Sequence, residues 1–194
     1  LYSFGYNGTE EGPEQRIVLS CLDADKGTKI WEHRMNDFIS DTVYSRYGTG
    51  SPKVDQETRN VYLLTSTGLF SCFNQEGELL WRHSLMESYG RLTFPNGRTG
   101  APVIDGDMVI TRGITSFWGK QGPARDRFYA FNKYTGEPLW SAEPGTAPKD
   151  SSNSTPVFET RDGKRERLRR DAAPRKPRRR PAPTRPRGGR RPRP

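Results

Sequence analysis

Short runs of apolar and β-branched residues, separated by turn-forming residues, fill the first 166 positions of the chain. One pattern recurs at residues 21–31, 72–81 and 130–140: a small residue, an apolar residue and Asp or Asn precede a turn, and an aliphatic residue and Trp follow it. In each copy Gly stands four residues before Trp, giving the pairs Gly27 and Trp31, Gly77 and Trp81, and Gly136 and Trp140. The pattern predicts three β-hairpins in which Asp or Asn bonds the turn backbone, Gly takes a positive φ and the returning strand carries Trp inward.

A second element repeats with the hairpin. Residues 51–55, 101–105 and 155–159 read Ser-Pro-Lys-Val-Asp, Ala-Pro-Val-Ile-Asp and Thr-Pro-Val-Phe-Glu, and they look like one short strand used three times. The prolines are 50 and 54 residues apart, and the first two hairpin tryptophans are 50 apart. Such periods predict an all-β chain built as a partial β-propeller of four-stranded antiparallel blades. We expect blades at about 1–35, 51–84, 101–142 and 155–166, of which the second and third are complete.

The third copy of the hairpin resembles the tryptophan-docking repeat of pyrroloquinoline-quinone (PQQ)-type, or quinoprotein-like, β-propellers. The shared residues are Ala130, Asn132, Thr135, Gly136 and Trp140. The first copy keeps Asp23 but has Cys21 for Ala and Lys26 for Thr, and the second has a turn one residue shorter. The resemblance covers residues 1–166 and implies a periplasmic or otherwise extracytoplasmic repeat protein. Because a propeller needs about four to eight blades and Leu1 falls within a predicted strand, we expect a fragment of a longer protein.

Charge is distributed unevenly. The net charge is +9, yet residues 167–194 alone carry 13 Lys plus Arg and one Asp. This Arg/Pro-rich tail has too few apolar residues to offset its ordering entropy, and we expect it to be disordered. We interpret it as an out-of-frame reading, because the composition breaks within a blade. The alternative is a basic arm that binds nucleic acid or another polyanion. No apolar run approaches the roughly 20 residues of a membrane span.

The cysteines and histidines occupy equivalent repeat positions. Cys21 and Cys72 stand where the third copy has Ala130, so we expect two small buried residues and no disulfide between blades. His33 and His83 both follow a repeat Trp by two residues, and we expect scaffold residues. A metal pair would need side chains that converge on one site, so no metal site is predicted.

Candidate binding residues lie on one face of the predicted propeller. In a four-stranded meander, the loops between second and third strands and the connections between blades emerge on the same face. Its long segments are residues 6–15, 35–50, 85–99 and 113–125. We predict that a ligand or protein partner binds there, through Trp118, Lys120, Arg125, Tyr89 and Arg98. The repeat glycines and tryptophans are predicted to be structural.

Two functions remain open for this scaffold. The leading interpretation is a non-catalytic binding or scaffolding propeller; the alternative is a fragment of a PQQ-dependent alcohol or sugar dehydrogenase, which would need PQQ and calcium. The resemblance implies that such enzymes hold the quinone beside a vicinal disulfide, with Glu and Asn on calcium and an Asp base. The chain has no vicinal cysteines, no catalytic residue is assigned, and no cofactor is evident. The residues Asp37, Asp41, Asp126 and Asn96 lie in or beside the loops in no recognisable motif, and we expect the carboxylates to be solvated.

Overall fold

A computed structural model describes residues 1–7, 16–35, 50–89, 99–115, 125–143, 155–161 and 164–168. These residues form thirteen β-strands and one short helix, and every strand pairing among them is antiparallel. The predicted all-β fold class is therefore confirmed. The strands fall into four sheets that follow one another along the chain.

In the part of the chain that the structure describes, the first and last sheets have three and two strands. Sheet 1 has the strand order β1-β2-β3, and its strands are β1 (Tyr2–Asn7), β2 (Arg16–Leu22) and β3 (Lys29–Met35). Sheet 4 pairs β12 (Val157–Arg161) with β13 (Lys164–Leu168). Pairing in sheet 4 thus continues to Leu168, two residues past Glu166, at which the sequence places the end of the last blade.

The second and third sheets are four-stranded meanders. Sheet 2 consists of β4 (Lys53–Val54), β5 (Val61–Leu64), β6 (Leu69–Phe73) and β7 (Leu79–Ser84) in that order. Sheet 3 consists of β8 (Val103–Asp105), β9 (Met108–Thr115), β10 (Arg125–Asn132) and β11 (Pro138–Ala142). Strands β9 and β10 extend into residues 113–125, predicted as a long loop, because their pairing continues to Thr115 and Arg125.

One helix stands where the sequence predicted only a connection. Helix α1 (Leu85–Tyr89) follows β7, and the Ser84 hydroxyl accepts a hydrogen bond from the Glu87 amide at 3.3 Å. Ser followed three residues later by Glu is the sequence pattern of a helix N-terminus. Leu85 is fully buried against sheets 2 and 3, so burial of one apolar side chain adds to this cap.

The core lies between the sheets, because each central strand buries both of its faces. In β6, Phe70 and Cys72 face sheet 3, whereas Leu69 and Phe73 face sheet 1. Three apolar clusters result, one at each junction between successive sheets. Successive residues of a central strand therefore face two different neighbouring sheets, and both faces of the strand are packed in the core.

The three hairpins have the predicted geometry. Cys21 pairs with Trp31, Cys72 with Trp81 and Ala130 with Trp140, and the register shifts directly after each pair. The turn glycines Gly27, Gly77 and Gly136 have φ values of 67°, 89° and 76°. In the first turn the Asp23 carboxylate accepts hydrogen bonds from the amides of Asp25 and Lys26, and Asn132 does the same for its turn. The local sequence is sufficient to specify each hairpin.

Candidate functional site

Each of the first two repeat tryptophans contacts the turn of the next hairpin. A Cβ atom added to Gly77 would lie 2.8 Å from Trp31 Cδ2, and one added to Gly136 would lie 2.7 Å from Trp81 Cδ2. The Trp31 indole N–H donates to the Gln75 carbonyl at 2.8 Å, and that of Trp81 donates to the Lys133 carbonyl at 3.1 Å. Gly is required at both positions for two reasons, its positive φ and the aromatic face directly above it. These tryptophans join one sheet to the next.

Gly27 and Trp140, the first glycine and the last tryptophan of the three hairpins, have different surroundings. Gly27 has the same backbone conformation, but a Cβ atom there would meet nothing within 4 Å. Trp140 packs in the apolar cluster between sheets 3 and 4, with Ile110 and Phe158.

Both histidines also cross to the next sheet. His33 stacks on Phe73 with ring centroids 4.9 Å apart, and its Nε2 contacts the Gly77 carbonyl oxygen. His83 stacks on Phe131 at 5.5 Å. The two side chains thus repeat one structural role at successive junctions, as the sequence predicts.

A buried lysine in the third hairpin turn connects sheet 3 to sheet 2. The Lys133 side chain is 1% exposed, and its Nζ lies 3.1 Å from Asp55 Oδ2 and 2.5 Å from Glu57 Oε2. Its backbone carbonyl also accepts the Tyr62 hydroxyl at 3.0 Å, in addition to the Trp81 indole. This residue lies in a hairpin turn, which the sequence pattern predicts to be exposed to solvent, so no local signal marks it as buried.

The pKa values of this cluster follow from its hydrogen bonds. Burial alone would raise the pKa of Asp55, but hydrogen bonds from Lys133, Thr58 and the Glu57 amide outweigh burial, so the pKa lies below its usual value. Burial alone would lower the pKa of Lys133, and its bonds to Glu57 and Asp55 raise it instead. Both groups are therefore held in their charged forms at neutral pH.

A second buried ion pair joins β9 and β10 of sheet 3, near the strand ends that lie away from the hairpin turn. Arg112 donates from Nε to Asp126 Oδ1 at 2.7 Å and from Nη2 to Oδ2 at 2.5 Å, and the side chains are 5% and 2% exposed. The guanidinium lies 5.7 Å from the centre of the Phe128 ring. The expectation of a solvated carboxylate is wrong for Asp126, because β10 buries it beside Arg112 of β9. An Arg at an alternating, core-facing position of β9 was the available signal in the sequence.

One aromatic pair of the described residues lies near the face predicted to carry the long connections, which is called the loop face below. Tyr89, at the end of α1, is 38% exposed, and its ring centroid lies 4.4 Å from that of Tyr129 in β10. Burial raises the pKa of Tyr129 to about 12 and also raises that of Tyr89. Neither phenol is therefore ionised near neutral pH, and Tyr89 is the member of the pair that stays partly exposed.

The described residues include two of the five predicted binding residues. Tyr89 lies on the predicted face, and Arg125 is the first residue of β10 at the same edge. Trp118, Lys120 and Arg98 lie outside the described residues, as do Asp37, Asp41 and Asn96. Whether the five candidates form one surface stays a prediction.

Among the described residues, the cysteines and the buried carboxylates have structural surroundings. Within them, no group of three or more His, Cys, Asp or Glu side chains is arranged to hold a metal ion. Cys21 and Cys72 are buried free thiols on different sheets, as predicted, and burial raises the pKa of Cys72 to about 12. The two buried carboxylates described above are each bonded to a basic side chain. In the same part of the chain, no helix is long and apolar enough to cross a membrane.

Comparisons with known proteins connect this geometry to a family. The family model described as outer membrane protein assembly factor BamB matches residues 14–165. Among solved structures, quinohemoprotein alcohol dehydrogenase ADHIIG from Pseudomonas putida HK5 is 18% identical, with a TM-score of 0.50 over 80% of this chain and 29% of that chain. This match shows the fold alone. No curated protein matches the chain.

Two further structures match at lower TM-scores. BamB from Moraxella catarrhalis is 17% identical over 73% of this chain and 36% of that chain, with a TM-score of 0.43. A europium-containing methanol dehydrogenase is 16% identical over 73% of this chain and 22% of that chain, with a TM-score of 0.47. This chain thus spans well under half the length of all three structures. Because the family model matches most of its residues, the chain belongs to the PQQ-type β-propeller family whose model is described as outer membrane protein assembly factor BamB.

Proposed function

We propose that this chain is part of a non-catalytic, extracytoplasmic β-propeller that binds a protein partner and serves as a scaffold. The observation that carries the proposal is the family match over residues 14–165, since the model bears the description of an outer membrane protein assembly factor. The partner binds on the loop face, the side of the sheets where α1 and the β9–β10 connection lie. The alternative is a part of a quinone-dependent alcohol or sugar dehydrogenase.

The contrast between buried charged residues and a partly exposed tyrosine supports the binding function. Lys133 and Arg112 both hold carboxylates inside junctions between or within sheets, where they stabilise the scaffold. Tyr89, in contrast, is partly exposed beside a buried tyrosine. Exposed aromatic side chains on a rigid support are typical anchors of protein interfaces.

The experiment separates the two functions in the full-length protein. First, the purified protein is reconstituted with PQQ and calcium, and dye reduction is measured with alcohols and sugars. We expect no reduction above the background without quinone. Quinone-dependent turnover would overturn the non-catalytic function and favour the dehydrogenase.

A crosslinking experiment tests the binding function itself. A photoreactive phenylalanine derivative replaces Tyr89 on the loop face or Asp25 in the first hairpin turn, at the opposite edge. We expect a discrete extracytoplasmic partner, identified by mass spectrometry, to crosslink through position 89 and not through position 25. Equal crosslinking from both positions, or none from position 89, would contradict the assignment.

The indole predicted from the sequence has its own test against that partner. Trp118→Ala in the full-length protein should weaken partner binding, measured by titration, and leave the melting temperature nearly unchanged. Tyr134→Ala is the matched control, because Tyr134 is a 46% exposed aromatic residue in the third hairpin turn, away from the loop face. Unchanged affinity in Trp118→Ala would remove this residue from the binding surface.

A further inference from the structure

The edge of sheet 2 that β7 forms carries main-chain groups directed away from the sheet. In the described residues β7 pairs only with β6. The Leu85 amide donates to the Gly68 carbonyl at 2.8 Å, and hydrogen-bonded pairs alternate with non-bonded pairs along an antiparallel ladder. His83 and Trp81, two and four residues before Leu85, therefore bond to β6 in the same way. The amide and carbonyl of Arg82, which stands between them, point away from β6.

Exposed aliphatic side chains lie along the same edge. Leu79 and Leu80 begin β7 and are 45% and 47% exposed. Side chains alternate between the two faces of a strand, so Leu80 and the exposed Arg82 lie on one face, whereas Trp81 packs toward sheet 3 on the other. An extended segment added to β7 would therefore meet an aliphatic side chain and a guanidinium on one of its faces.

The residue that follows the repeat Trp distinguishes the edges of the first three sheets. It is Glu32 in sheet 1, Arg82 in sheet 2 and Ser141 in sheet 3. Glu32 bonds to Lys29 and Arg34, whereas no ion pair among the residues that the structure describes includes Arg82. An exposed aliphatic residue precedes the Trp in all three sheets: Ile30, Leu80 and Leu139. The edges thus share their apolar residue and differ in charge, and the charge favours a carboxylate at the edge of sheet 2.

We propose that the β7 edge binds an extended, acidic segment of a partner protein as a fifth, antiparallel strand of sheet 2. The residue opposite Arg82 is Glu or Asp and exchanges both main-chain hydrogen bonds with it. The residue two positions later in the segment lies opposite Leu80 and is aliphatic. Main-chain bonds provide affinity, and the two side chains provide selectivity. This edge is separate from the loop face, so the proposal goes beyond the function proposed above.

The test uses the full 194-residue chain and a synthetic peptide of sequence Thr-Thr-Glu-Thr-Val-Thr-Thr. Its threonines favour an extended strand, and its Glu and Val match Arg82 and Leu80. Amide resonances of the protein are followed by NMR during titration. We expect saturable shifts of Arg82 and Ser84, and none of Tyr89 on the loop face. No saturable shift in β7, or shifts of Tyr89 alone, would overturn the proposal.

An exchange of charges identifies the contact. A second peptide has Arg in place of Glu, and we expect the wild-type chain to prefer the Glu peptide by about fivefold, since cross-strand charge pairs are attractive or repulsive by sign. Arg82→Glu should prefer the Arg peptide by a similar factor, and Arg82→Gln should bind both peptides equally.

Arg34→Glu is the matched control, because Arg34 is 59% exposed on the edge strand of sheet 1 and bonds to Glu32. This variant should keep the preference of the wild-type chain. The same preference in the wild-type chain and in both Arg82 variants, or a reversal in Arg34→Glu, would contradict an assignment to the β7 edge.

Discussion

Replacing Lys133 by Met tests how much the junction between sheets 2 and 3 depends on one buried cation. Met keeps the length and apolar stem of the side chain. It leaves the carboxylate of Asp55, whose side chain is 7% exposed, with the Thr58 hydroxyl and the Glu57 amide as partners. At the observed 3.1 Å, the Coulomb attraction between Lys133 and Asp55 is about 5 kcal/mol for an effective dielectric constant of about 20. Removal of one partner of a buried pair typically costs ~3–5 kcal/mol.

We therefore expect Lys133→Met to lower the free energy of unfolding by about 3 kcal/mol or more. Urea unfolding followed by tryptophan fluorescence measures this change, with an unchanged slope against urea as the condition for comparison. Glu57→Gln is the control: Glu57 is 69% exposed, so its pair with Lys133 should contribute less than ~1 kcal/mol. A loss below about 1 kcal/mol in Lys133→Met, or equal losses in the two variants, would refute the reasoning.

The dependence on pH has a defined sign. The folded protein holds the pKa of Asp55 below its usual value, so this group stabilises the fold above its unfolded pKa and the contribution is lost as pH falls through the folded pKa. In Lys133→Met burial remains without the cation, and the pKa of Asp55 should rise. The deficit of the variant should then be largest near neutral pH and shrink as the medium becomes acidic. A deficit that grows on acidification would contradict this account.

Three other predictions use matched pairs or a single probe. Gly77→Ala should destabilise the fold by roughly 1–2 kcal/mol because of the positive φ, and by a further ~1–3 kcal/mol because the added methyl group meets the Trp31 indole. Gly27→Ala should show only the effect of the positive φ, and thermal melting of the two variants measures the difference. Arg112→Met should lower the free energy of unfolding by ~3–5 kcal/mol in urea, because it removes the bidentate cationic partner of a buried aspartate. Arg127→Met, whose glutamate partner is 50% exposed, should lower it by less than ~1 kcal/mol. Cys72 should react with iodoacetamide at pH 8 only after unfolding, since burial raises its pKa to about 12; rapid labelling of the folded chain would contradict that burial.

Much of the scaffold could be predicted because the relevant forces act locally. Each turn of the three hairpins depends on an Asx side chain and a glycine within a few residues of each other, and the register of Cys72 with Trp81 follows from the turn length. The candidate binding surface was harder to predict. Its residues lie on separate connections, and which of them share a surface depends on how the sheets stack.

The sequence by itself determined the repeat, the strands and the inward direction of the tryptophans, since turn chemistry and alternation are encoded between near neighbours. The tertiary structure alone decided that Lys133 and Asp126 are buried charges and that Ser84 begins a helix. The carboxylates that pair with Lys133 stand more than 70 residues earlier in the chain, at Asp55 and Glu57. A turn lysine loses its solvent only when another sheet packs over it, and no local pattern records that event.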